Sequence, residues 1–284
     1  MVRECGIDML CVGPSTEAEC LRSFGLTCDI LTLGGTPFNN IPYVVAHDIT
    51  TTLADAEYAE LLSHEAVSQH KTAKVHLKID TGLGRMGVRC GEELDSLLRT
   101  VTALPGIEIE GAYTHFADSS AIDTSFVDEQ AAAFDAALEQ IKAFGVRLKY
   151  CHAANTPAIV RFPQYHYNMV RSLLLLVGRD WSVDQKNRLG LEKFLYWRSF
   201  ICQINHFKAG ERFGYNRSFT AEQDMTVAIA SFGYSDGYPD DMVRHGASVI
   251  LKGKRARILS MNMDQCFIDI TGIENENHLS RFVF

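Results

Sequence analysis

Apolar and polar positions in the first 190 residues alternate between a strand-like and a helix-like period. Seven apolar runs are typical of strands: DMLCVG near residue 8, CDILTL near 28, YVVAHDI near 43, KVHLKID near 74, IEIEGAYTHF near 107, LKYCHAA near 148 and YNMVRSLLLLVG near 167. Helical spacing is clearest at Val127, Ala131, Phe134, Leu138 and Ile141. Strands alternating with helices form parallel βαβ units, so the pattern predicts an α/β fold one strand short of a (β/α)8 TIM barrel.

The period changes after about residue 190. The runs FLYWRSFICQINHF, DMTVAIASFGYSDGY, ASVILKGKRARILSM and CFIDIT follow one another with glycine-containing turns between them and no helix of comparable length. We therefore predict two domains, a barrel-type domain over residues 1–190 and an all-β domain over residues 191–284.

Charged side chains interrupt one apolar run of the barrel, in the stretch KIDTGLGRMG over residues 78–87. By the two-residue period of a strand, the preceding segment has one apolar and one polar face. The apolar face carries Val75, Leu77 and Ile79, and the polar face carries His76, Lys78 and Asp80. Since the apolar face of a barrel strand packs under helices, the polar face is expected to point into the barrel, where a site at its mouth would explain it.

Composition narrows the class of function. The 27 basic and 35 acidic residues give a formal net charge of -8 without a Lys/Arg block, so the electrostatic footprint of a nucleic-acid-binding protein is absent. Eight cysteines lie without CxxC spacing, which favours a reducing, cytoplasmic location with the cysteines in the core and no structural zinc. The N-terminus MVRECGIDML has no basic segment followed by a long apolar stretch, and no run of 18 apolar residues occurs, so we expect neither a signal peptide nor a membrane span. We expect a protein that binds a small molecule.

Seven segments together resemble the bacterial alanine racemases, in order and in spacing. They are HLKIDTGLGRMGV (76–88), EGAYTHFA (110–117), HAANTPAIVRFP (152–163), NMVR (168–171), GYNRSFTA (214–221), GYSDGYP (233–239) and MDQCFIDIT (263–271). This resemblance implies a (β/α)8 barrel that carries pyridoxal phosphate, a C-terminal β domain and a head-to-tail homodimer with shared active sites.

The resemblance also implies catalytic roles. Racemisation removes the α-proton from one face of the substrate and returns it to the other, which requires two bases on opposite sides of the cofactor ring. Tyr215 matches the base of one face and reaches the barrel of the partner subunit. Arg85 and His115 match the groups that stabilise its anion, and the fork of Arg85 also suits the substrate carboxylate.

Further residues match the cofactor site of the family. Arg171 corresponds to the arginine that faces the pyridine nitrogen, with His152 behind it. Because arginine stays protonated, the ring nitrogen stays unprotonated, which favours racemisation over transamination. The segments that hold the phosphate correspond to Asn155, Thr156, Leu173 and Leu174. Leu173 stands where the family usually has a glycine, and its side chain is expected to crowd the phosphate.

The remaining carried-over residues concern the substrate side and a modification. Met263 and Asp264 match the segment that closes over the substrate, and Tyr234 matches a tyrosine that lines the access channel. Lys78 matches a lysine that is often carbamylated in the family. The modification has a physical motive, because it converts a cation beside Arg85 into an anion that can orient the arginine.

One departure from the family concerns the ends of the chain. The family's Schiff-base lysine lies in a KANAYGHG-like motif at the end of the first barrel strand, and this sequence has no such motif. Residues 1–6 resemble the end of the following helix, so the lysine would fall upstream of Met1, and a phosphate-binding tyrosine would fall beyond Phe284. We therefore expect a barrel without its first strand, a partial β domain and a chain that does not racemise by itself.

Alternatives remain open at this stage. The chain could be a non-catalytic pyridoxal-phosphate-binding homologue, a racemase for serine or a wider set of amino acids, or a metal-assisted hydrolase on the same barrel. The hydrolase would need a ligand cluster such as His76, Asp80, His115 and His152. Structural roles are also open: Lys78 could extend to solvent, the two candidate arginines could form ordinary salt bridges, and the two histidines, the tyrosines, Thr156 and Met263 could serve packing or turns.

Overall fold

A computed structural model describes residues 4–179, 189–192, 196–273 and 281–283. The chain divides into two compact units, Met1–Glu192 and Lys193–Phe284. Each unit is built around its own hydrophobic core. None of the helices in the described ranges is long and apolar enough to cross a membrane.

The first unit contains one parallel sheet whose strands lie side by side in chain order. Its strands are β1 (Met9–Val12), β2 (Asp29–Thr32), β3 (Thr50–Leu53), β4 (Ala73–Lys78), β5 (Ile107–Tyr113) and β6 (Tyr150–His152). Its helices are α1 (Ser15–Ser23), α2 (Ile41–Ala46), α3 (Ala56–Ser68), α4 (Glu92–Ala103), α5 (Ser125–Ala143) and α6 (Thr156–Arg161). A parallel sheet in chain order with helices between its strands is the barrel-type α/β arrangement that the pattern predicted.

The two faces of β4 separate apolar from polar side chains as predicted. Val75, Leu77 and Ile79 are fully buried in the core that the sheet forms with its helices. On the opposite face, His76 and Lys78 are buried too, with 0% and 3% of their surfaces exposed. Since burying a polar group is costly unless it is hydrogen-bonded, these side chains need partners inside the sheet.

Helix α5 confirms the periodicity read from its sequence. Val127, Ala131, Phe134 and Ile141 are buried in the same core, and Leu138 packs against it partly exposed. Burial of a phenylalanine such as Phe134 stabilises the unit by about 1.5–3 kcal/mol. The helix thereby fixes the position of the loops at the carboxyl edge of the sheet.

The strand expected near residue 43 is wrong. Residues 41–46 form helix α2, and the strand β3 starts only at Thr50. Pro42 lies in the first turn of α2, where its missing N–H costs nothing, and Ile41, Val44 and Val45 are buried along one helical face. A short apolar run fits a buried helix as well as a strand, and here the proline decides.

The strand expected near residue 167 is wrong as well, so the sheet has six strands in the described residues rather than seven. In this run Met169 forms an isolated bridge with His152, and residues 173–178 are bends and turns. Leu173 and Leu176 are 68% and 51% exposed, so the apolar character of the run does not reflect burial in a sheet. The sequence beyond residue 179 is outside the described residues until residue 189.

The second unit is antiparallel, as its sequence predicted. Six strands close into a barrel in the order β10-β13-β12-β11-β14-β7, and β8 pairs with β9 in a separate ribbon. The strands are β7 (Arg198–Phe207), β8 (Arg212–Phe213), β9 (Phe219–Thr220), β10 (Met225–Ala230), β11 (Ser248–Leu251), β12 (Lys254–Met261), β13 (Cys266–Asp269) and β14 (Arg281–Val283). The described helices of this unit are short 3-10 turns at Tyr215–Arg217, Tyr234–Asp236 and Asp240–Val243.

The cysteines differ from expectation. All eight are free, but only Cys266 is buried, whereas Cys5, Cys20, Cys90 and Cys202 are exposed. Their general assignment to the core was therefore wrong.

The glycine-rich loop after β4 is closed by backbone contacts. Asp80 N–H donates to the Val88 carbonyl at 2.9 Å, and Val88 N–H donates to the Lys78 carbonyl at 3.0 Å. Gly87 has φ +125°, and a Cβ there would lie 2.7 Å from Asp80 N and 2.9 Å from Lys78 O. Only glycine satisfies both constraints, so this residue fixes the loop that carries Arg85.

We expect Gly87→Ala to lower the free energy of unfolding by about 2 kcal/mol or more, because the new Cβ meets rigid backbone at a strained φ. Urea denaturation measures the change. Gly35→Ala is the control, since nothing lies within 4 Å of its Cβ position and its φ is not in the left-handed region. Equal midpoints for the two variants would contradict the close approach.

Candidate active site

The carboxyl ends of three neighbouring strands bring together the candidate residues of the first unit. Lys78 ends β4, Tyr113 ends β5 and His152 ends β6. Lys78 pairs in register with Tyr113, and Tyr113 pairs in register with His152. In barrel enzymes this edge carries the active site, since loops from several strands converge there.

Arg171 lies at the centre of this edge and is held by uncharged acceptors. Its guanidinium donates to His152 Nδ1 at 2.7 Å and His115 Nδ1 at 3.1 Å. It also donates to the carbonyl oxygens of Thr114 at 3.0 Å and Ala153 at 3.2 Å. None of these partners is a carboxylate, so the charge of Arg171 is hydrogen-bonded but not neutralised.

Tyr113 provides a surface for two of the cations. Lys78 Nζ lies 4.7 Å and the Arg171 guanidinium 5.3 Å from the centre of its ring, within the range of cation–π attraction. The ring also stacks on His152 at 4.7 Å between centroids. Its hydroxyl lies 2.7 Å from Thr52 Oγ1 and donates to the Leu33 carbonyl at 3.1 Å. Burial raises the pKa of Tyr113 to about 12, so this phenol stays protonated.

Lys78 is a buried amine with a reactive protonation state. Burial, followed by the charges of Arg171 and Arg85, lowers the pKa of Lys78 to about 7. With 3% of its surface exposed, the side chain does not extend to solvent as the structural alternative required. At neutral pH a large fraction of Lys78 is therefore an uncharged nucleophile.

His115 is neutral and has one ring nitrogen free to donate. Burial, followed by the charge of Arg171, lowers the pKa of His115 to about 3. Because Arg171 donates to Nδ1, the single ring proton belongs on Nε2. Nε2 lies 3.5 Å from Asn155 Nδ2, which is itself a donor. The N–H of His115 can therefore donate to a negatively charged acceptor.

His152 and His76 lie side by side under this edge, but they do not form a metal site. His76 Nδ1 is 2.9 Å from His152 Nε2. Within the described residues, no group of three or more histidine, cysteine, aspartate or glutamate side chains could hold a metal ion. Asp80 instead accepts hydrogen bonds from the backbone of Gly82 and Gly84. The ligand cluster that the hydrolase alternative needs is absent from these ranges.

Asn155 and Thr156 begin helix α6. Asn155 is the N-cap residue and accepts from Ala158 N–H at 3.3 Å and from Ser119 Oγ at 2.6 Å, while its amide donates to the Phe116 carbonyl. Thr156 is 6% exposed at the first helical position. Asn155 thus caps helix α6, and any ligand that binds Asn155 would have to do so while this side chain remains bonded to the helix.

The cluster fits an anionic cofactor. Three basic side chains lie close enough together to affect neighbouring groups: Lys78, Arg85 and Arg171. After burial, the two arginines lower the pKa of Lys78, and all three residues contribute to the lowered pKa of His115. Asp80 acts in the opposite direction on Lys78. Within the described residues, neither arginine forms an ion pair with a carboxylate. The hydroxyl of Ser172, next to Arg171, is buried without a partner in the same ranges. An unneutralised basic site and an orphaned hydroxyl suit a group that carries phosphate and carboxylate oxygens.

Tyr215 lies in the second unit, on a strained turn between β8 and β9. Asn216 and Arg217, which follow it, have φ values of +55° and +53°, and non-glycine residues seldom adopt this conformation. Tyr215 itself is 72% exposed. Backbone strain of this kind occurs at functional sites, where it fixes the direction of a side chain.

The segments of Tyr234 and Met263 lie together in the second unit. Tyr234 N–H donates to the Asn262 carbonyl at 3.2 Å, and Ser235 donates to the Met263 carbonyl through N–H at 2.9 Å and Oγ at 2.7 Å. Tyr234 is 48% and Met263 59% exposed, and Asp264 is exposed beside them. These exposures exclude a core role for Met263 within this unit.

Comparison with known proteins identifies the family. Residues 1–179 match the model of the alanine racemase N-terminal domain, and residues 194–283 match that of the C-terminal domain. The chain belongs to the alanine racemase family. It is accordingly an amino-acid racemase, an isomerase that acts on a small amino acid with pyridoxal phosphate. The resemblance indicated by the seven motifs is confirmed.

Individual racemases support the assignment over nearly the whole chain. An alanine racemase of Methanococcus maripaludis is 33% identical over 276 residues, which are 96% of this chain and 74% of the relative. One from Desulfovibrio desulfuricans is 34% identical over 269 residues, 94% of this chain and 72% of the relative. The solved alanine racemase of Clostridium difficile 630 has a TM-score of 0.92 at 28% identity and covers 99% of this chain and 74% of its own. The solved alanine racemase of Bacillus anthracis with bound L-Ala-P has a TM-score of 0.89 at 30% identity, and the match covers 97% of this chain and 71% of that protein.

For a member of the alanine racemase family, the structure groups the predicted residues in two sets. In the first unit, direct contacts link His115, His152, Arg171 and Asn155, and the ring of Tyr113 joins Lys78 to this set. The set of the second unit comprises Tyr215, Tyr234, Met263 and Asp264. Leu173 and Leu174 lie in the turn that follows Arg171, and the exposed side chain of Leu173 points away from the core.

Sequence analysis missed two residues that organise this cluster. Tyr113 could have been found, because it shares the inward face of the sheet with Lys78. Gln130 is fully buried on α5 and bridges two loops: its amide donates to Thr81 Oγ1 at 3.0 Å, and it accepts from Ala117 N–H at 2.8 Å. The signal that could have revealed Gln130 is its position between Val127 and Phe134, where a glutamine interrupts an otherwise apolar helical face.

Proposed function

We propose that this racemase interconverts L-alanine and D-alanine, with pyridoxal phosphate bound against Arg171 at the carboxyl edge of the sheet. The main support for this proposal is that four hydrogen bonds hold the Arg171 side chain and none of them is to a carboxylate, which leaves its charge available for an anionic cofactor. Residues 1–190 form the cofactor-binding domain in this proposal, and residues 191–284 form the β domain.

The chain's own groups would hold the cofactor as follows. When bound, pyridoxal phosphate withdraws electrons from the substrate and makes its α-proton acidic. Arg171, which keeps its protons, would hold the ring nitrogen of the cofactor and disfavour its protonation. Ser172, Thr156 and the backbone near Leu173 and Leu174 supply donors for the phosphate, since hydroxyl and amide groups suit an anion. Asn155 supports them as the cap of α6.

Proton transfer involves a second copy of the chain. Tyr215 is exposed on a fixed turn, as a residue that completes the site of a partner subunit would be. Its phenolate, formed by loss of the phenol proton to solvent, would be the base of one face and would take up the α-proton to become a phenol, while the free Nε2–H of His115 would stabilise the phenolate by donating to it. Arg85, exposed in the loop after β4, binds the substrate carboxylate. Tyr234, Met263 and Asp264 line the approach of the substrate. The active unit is therefore a homodimer.

Lys78 carries a carbamate in this proposal. Its neutral amine adds to the carbon of CO2 and loses a proton to solvent, which replaces a cation by an anion. The anion would lie near Arg171, Arg85 and the Tyr113 ring, and it would replace the repulsion from the two arginines, which lowers the pKa of Lys78 in addition to the larger effect of burial. It would hold Arg85 in the orientation that receives a carboxylate.

Arg171→Lys tests the cofactor site. A lysine cannot reproduce the forked donors of Arg171, so we expect pyridoxal phosphate to bind at least about tenfold more weakly, as measured by fluorescence titration. In a protein that also carries the family's Schiff-base lysine, D-alanine formation from L-alanine should fall in parallel, and serine is assayed beside it to define the substrate. Arg99→Lys, on the exposed face of α4, is the control. Unchanged binding in Arg171→Lys would contradict the assignment.

Carbamylation of Lys78 is measured by 13C NMR in labelled bicarbonate. Only a neutral amine reacts, so the carbamate signal should increase as the pH rises through about 7, the pKa of Lys78. Lys78→Met should abolish the signal. Lys74 is an internal control on the same strand, because the Glu110 hydrogen bond raises its pKa and keeps it charged. A signal that persists in Lys78→Met would contradict the proposal.

The shared site is tested by cross-linking. A photoreactive phenylalanine analogue at position 215 should join two chains, with the cross-linked peptide from the segment that contains Arg85 or His115. The same analogue at position 24 is the control, since Phe24 is 78% exposed in the first unit. Sedimentation should show a dimer. A monomer at micromolar concentration, or equal cross-linking from both positions, would exclude a shared site.

A further inference from the structure

A line of buried side chains connects Arg171 with Glu110, deeper in the sheet. Arg171 donates to His152 Nδ1 at 2.7 Å, and His152 Nε2 lies 2.9 Å from His76 Nδ1. His76 Nε2 then faces Glu110 Oε2 at 3.8 Å. Of these residues, His152 and His76 are 0% and Glu110 is 3% exposed. The racemase mechanism described above uses Arg171 and His152 but assigns nothing to the other two.

The backbone is shaped to bring His76 and Glu110 together. The register of β4 and β5 shifts at this point: Val75 pairs with Ile109 and His76 pairs with Gly111, which leaves Glu110 as an extra residue. Such a bulge is uncommon in parallel sheets and redirects a side chain. A Cβ on Gly111 would lie 2.8 Å from two ring atoms of His76, so the imidazole packs directly on the glycine backbone.

The proton positions can be worked out from the arginine. Burial, followed by the charge of Arg171, lowers the pKa of His152 well below its usual range, so His152 is neutral with a single ring proton. Since Arg171 can only donate, His152 Nδ1 accepts and its proton lies on Nε2. His152 Nε2–H therefore donates to His76 Nδ1, and His76 must carry its own proton on Nε2.

The contacts of Glu110, at the other end of the line, require the same proton positions on the two histidines. Lys74 Nζ at 3.1 Å and Lys149 Nζ at 3.3 Å both contact Glu110 Oε1, which leaves Oε2 for His76. The interaction with His76, followed by Lys74, lowers the pKa of Glu110 to about 2, so the carboxylate is ionised and can only accept. Within the described residues, His76 Nε2 and Glu110 Oε2 have no hydrogen-bond partner, and they face each other.

We propose that Glu110 and His76 are positioning residues that hold His152 in the Nε2–H form, and thereby keep its Nδ1 available as the acceptor for Arg171. Every proton of the line points from the arginine towards the carboxylate. Without the carboxylate 3.8 Å away, the buried N–H of His76 would no longer face a negative charge, and the histidine pair would lose its preference for this direction. The consequence for the cofactor rests on the proposed role of Arg171, but the proton arrangement does not.

The arrangement is measured on the protein without added cofactor. Long-range 1H–15N NMR correlations distinguish a ring nitrogen that carries a proton from one that does not. We expect both His76 and His152 to be in the Nε2–H form, with signals assigned from their loss in His76→Asn and His152→Asn. If either imidazole of the wild-type protein carries its proton on Nδ1, the proposal is wrong, whatever the behaviour of any variant.

Glu110→Gln should reverse the line. Lys74 and Lys149 favour the amide oxygen of the glutamine, so its NH2 group faces His76 and requires Nε2 to accept. The His76 proton then moves to Nδ1, His152 must accept at Nε2, and an N–H of His152 would oppose Arg171. We expect the Nε2–H form to change from the main to the minor form of both histidines. Glu108→Gln removes an exposed carboxylate from the same strand and should change neither.

A titration with pyridoxal phosphate separates this proposal from the function proposed above. We expect affinity to fall about tenfold in Glu110→Gln, the equivalent of one charged hydrogen bond, and to be unchanged in Glu108→Gln. If the tautomers reverse while affinity is unchanged, the positioning line stands and the placement of the cofactor against Arg171 fails. If a folded Glu110→Gln keeps both histidines in the Nε2–H form, Glu110 does not position them and the proposal is rejected.

Discussion

Arg171 is a largely buried cation whose hydrogen-bond partners include no carboxylate, and the basic side chain of Lys78 is buried near it, so the architecture of the first unit has to accommodate this charge. Neutral imidazoles and carbonyl groups accept the arginine's protons, and the face of Tyr113 attracts both charges. Burial, followed by the positive charge of Arg171, lowers the pKa of Lys78 and His115. The charge of Arg171 thus contributes both to the affinity for an anionic cofactor and to the lowered pKa of Lys78, to which burial contributes most.

Much of this arrangement was legible in the sequence. The two-residue period of β4 correctly put Lys78 on the inward face, and the change of period near residue 190 predicted an antiparallel second unit. The helix at residues 41–46 and the exposed turn after Arg171 were not predictable from apolar runs, because such runs do not distinguish a helix, a strand and an exposed turn. The contact between His76 and His152 joins positions 76 residues apart, and it depends on how the strands align.

The candidate residues of the second unit are exposed, whereas most of those of the first unit are buried or half-buried. Its candidate residues lie on short turns beside a closed barrel, and the barrel provides a rigid base without free strand edges among its six members. The strained turn at Asn216 and Arg217 persists only because surrounding structure determines it. This division suits a protein in which one unit holds charge and the other presents side chains.

Gln130 links the loop after β4 to the loop after β5 through a single amide, so neither loop can be displaced without the other. Any opening of the rim is consequently concerted, and the arginine of one loop and the histidine of the other keep their separation. Insertions or deletions in either loop are constrained by the length of one side chain on α5. Evolutionary variation of the rim is accordingly expected as paired changes in both loops.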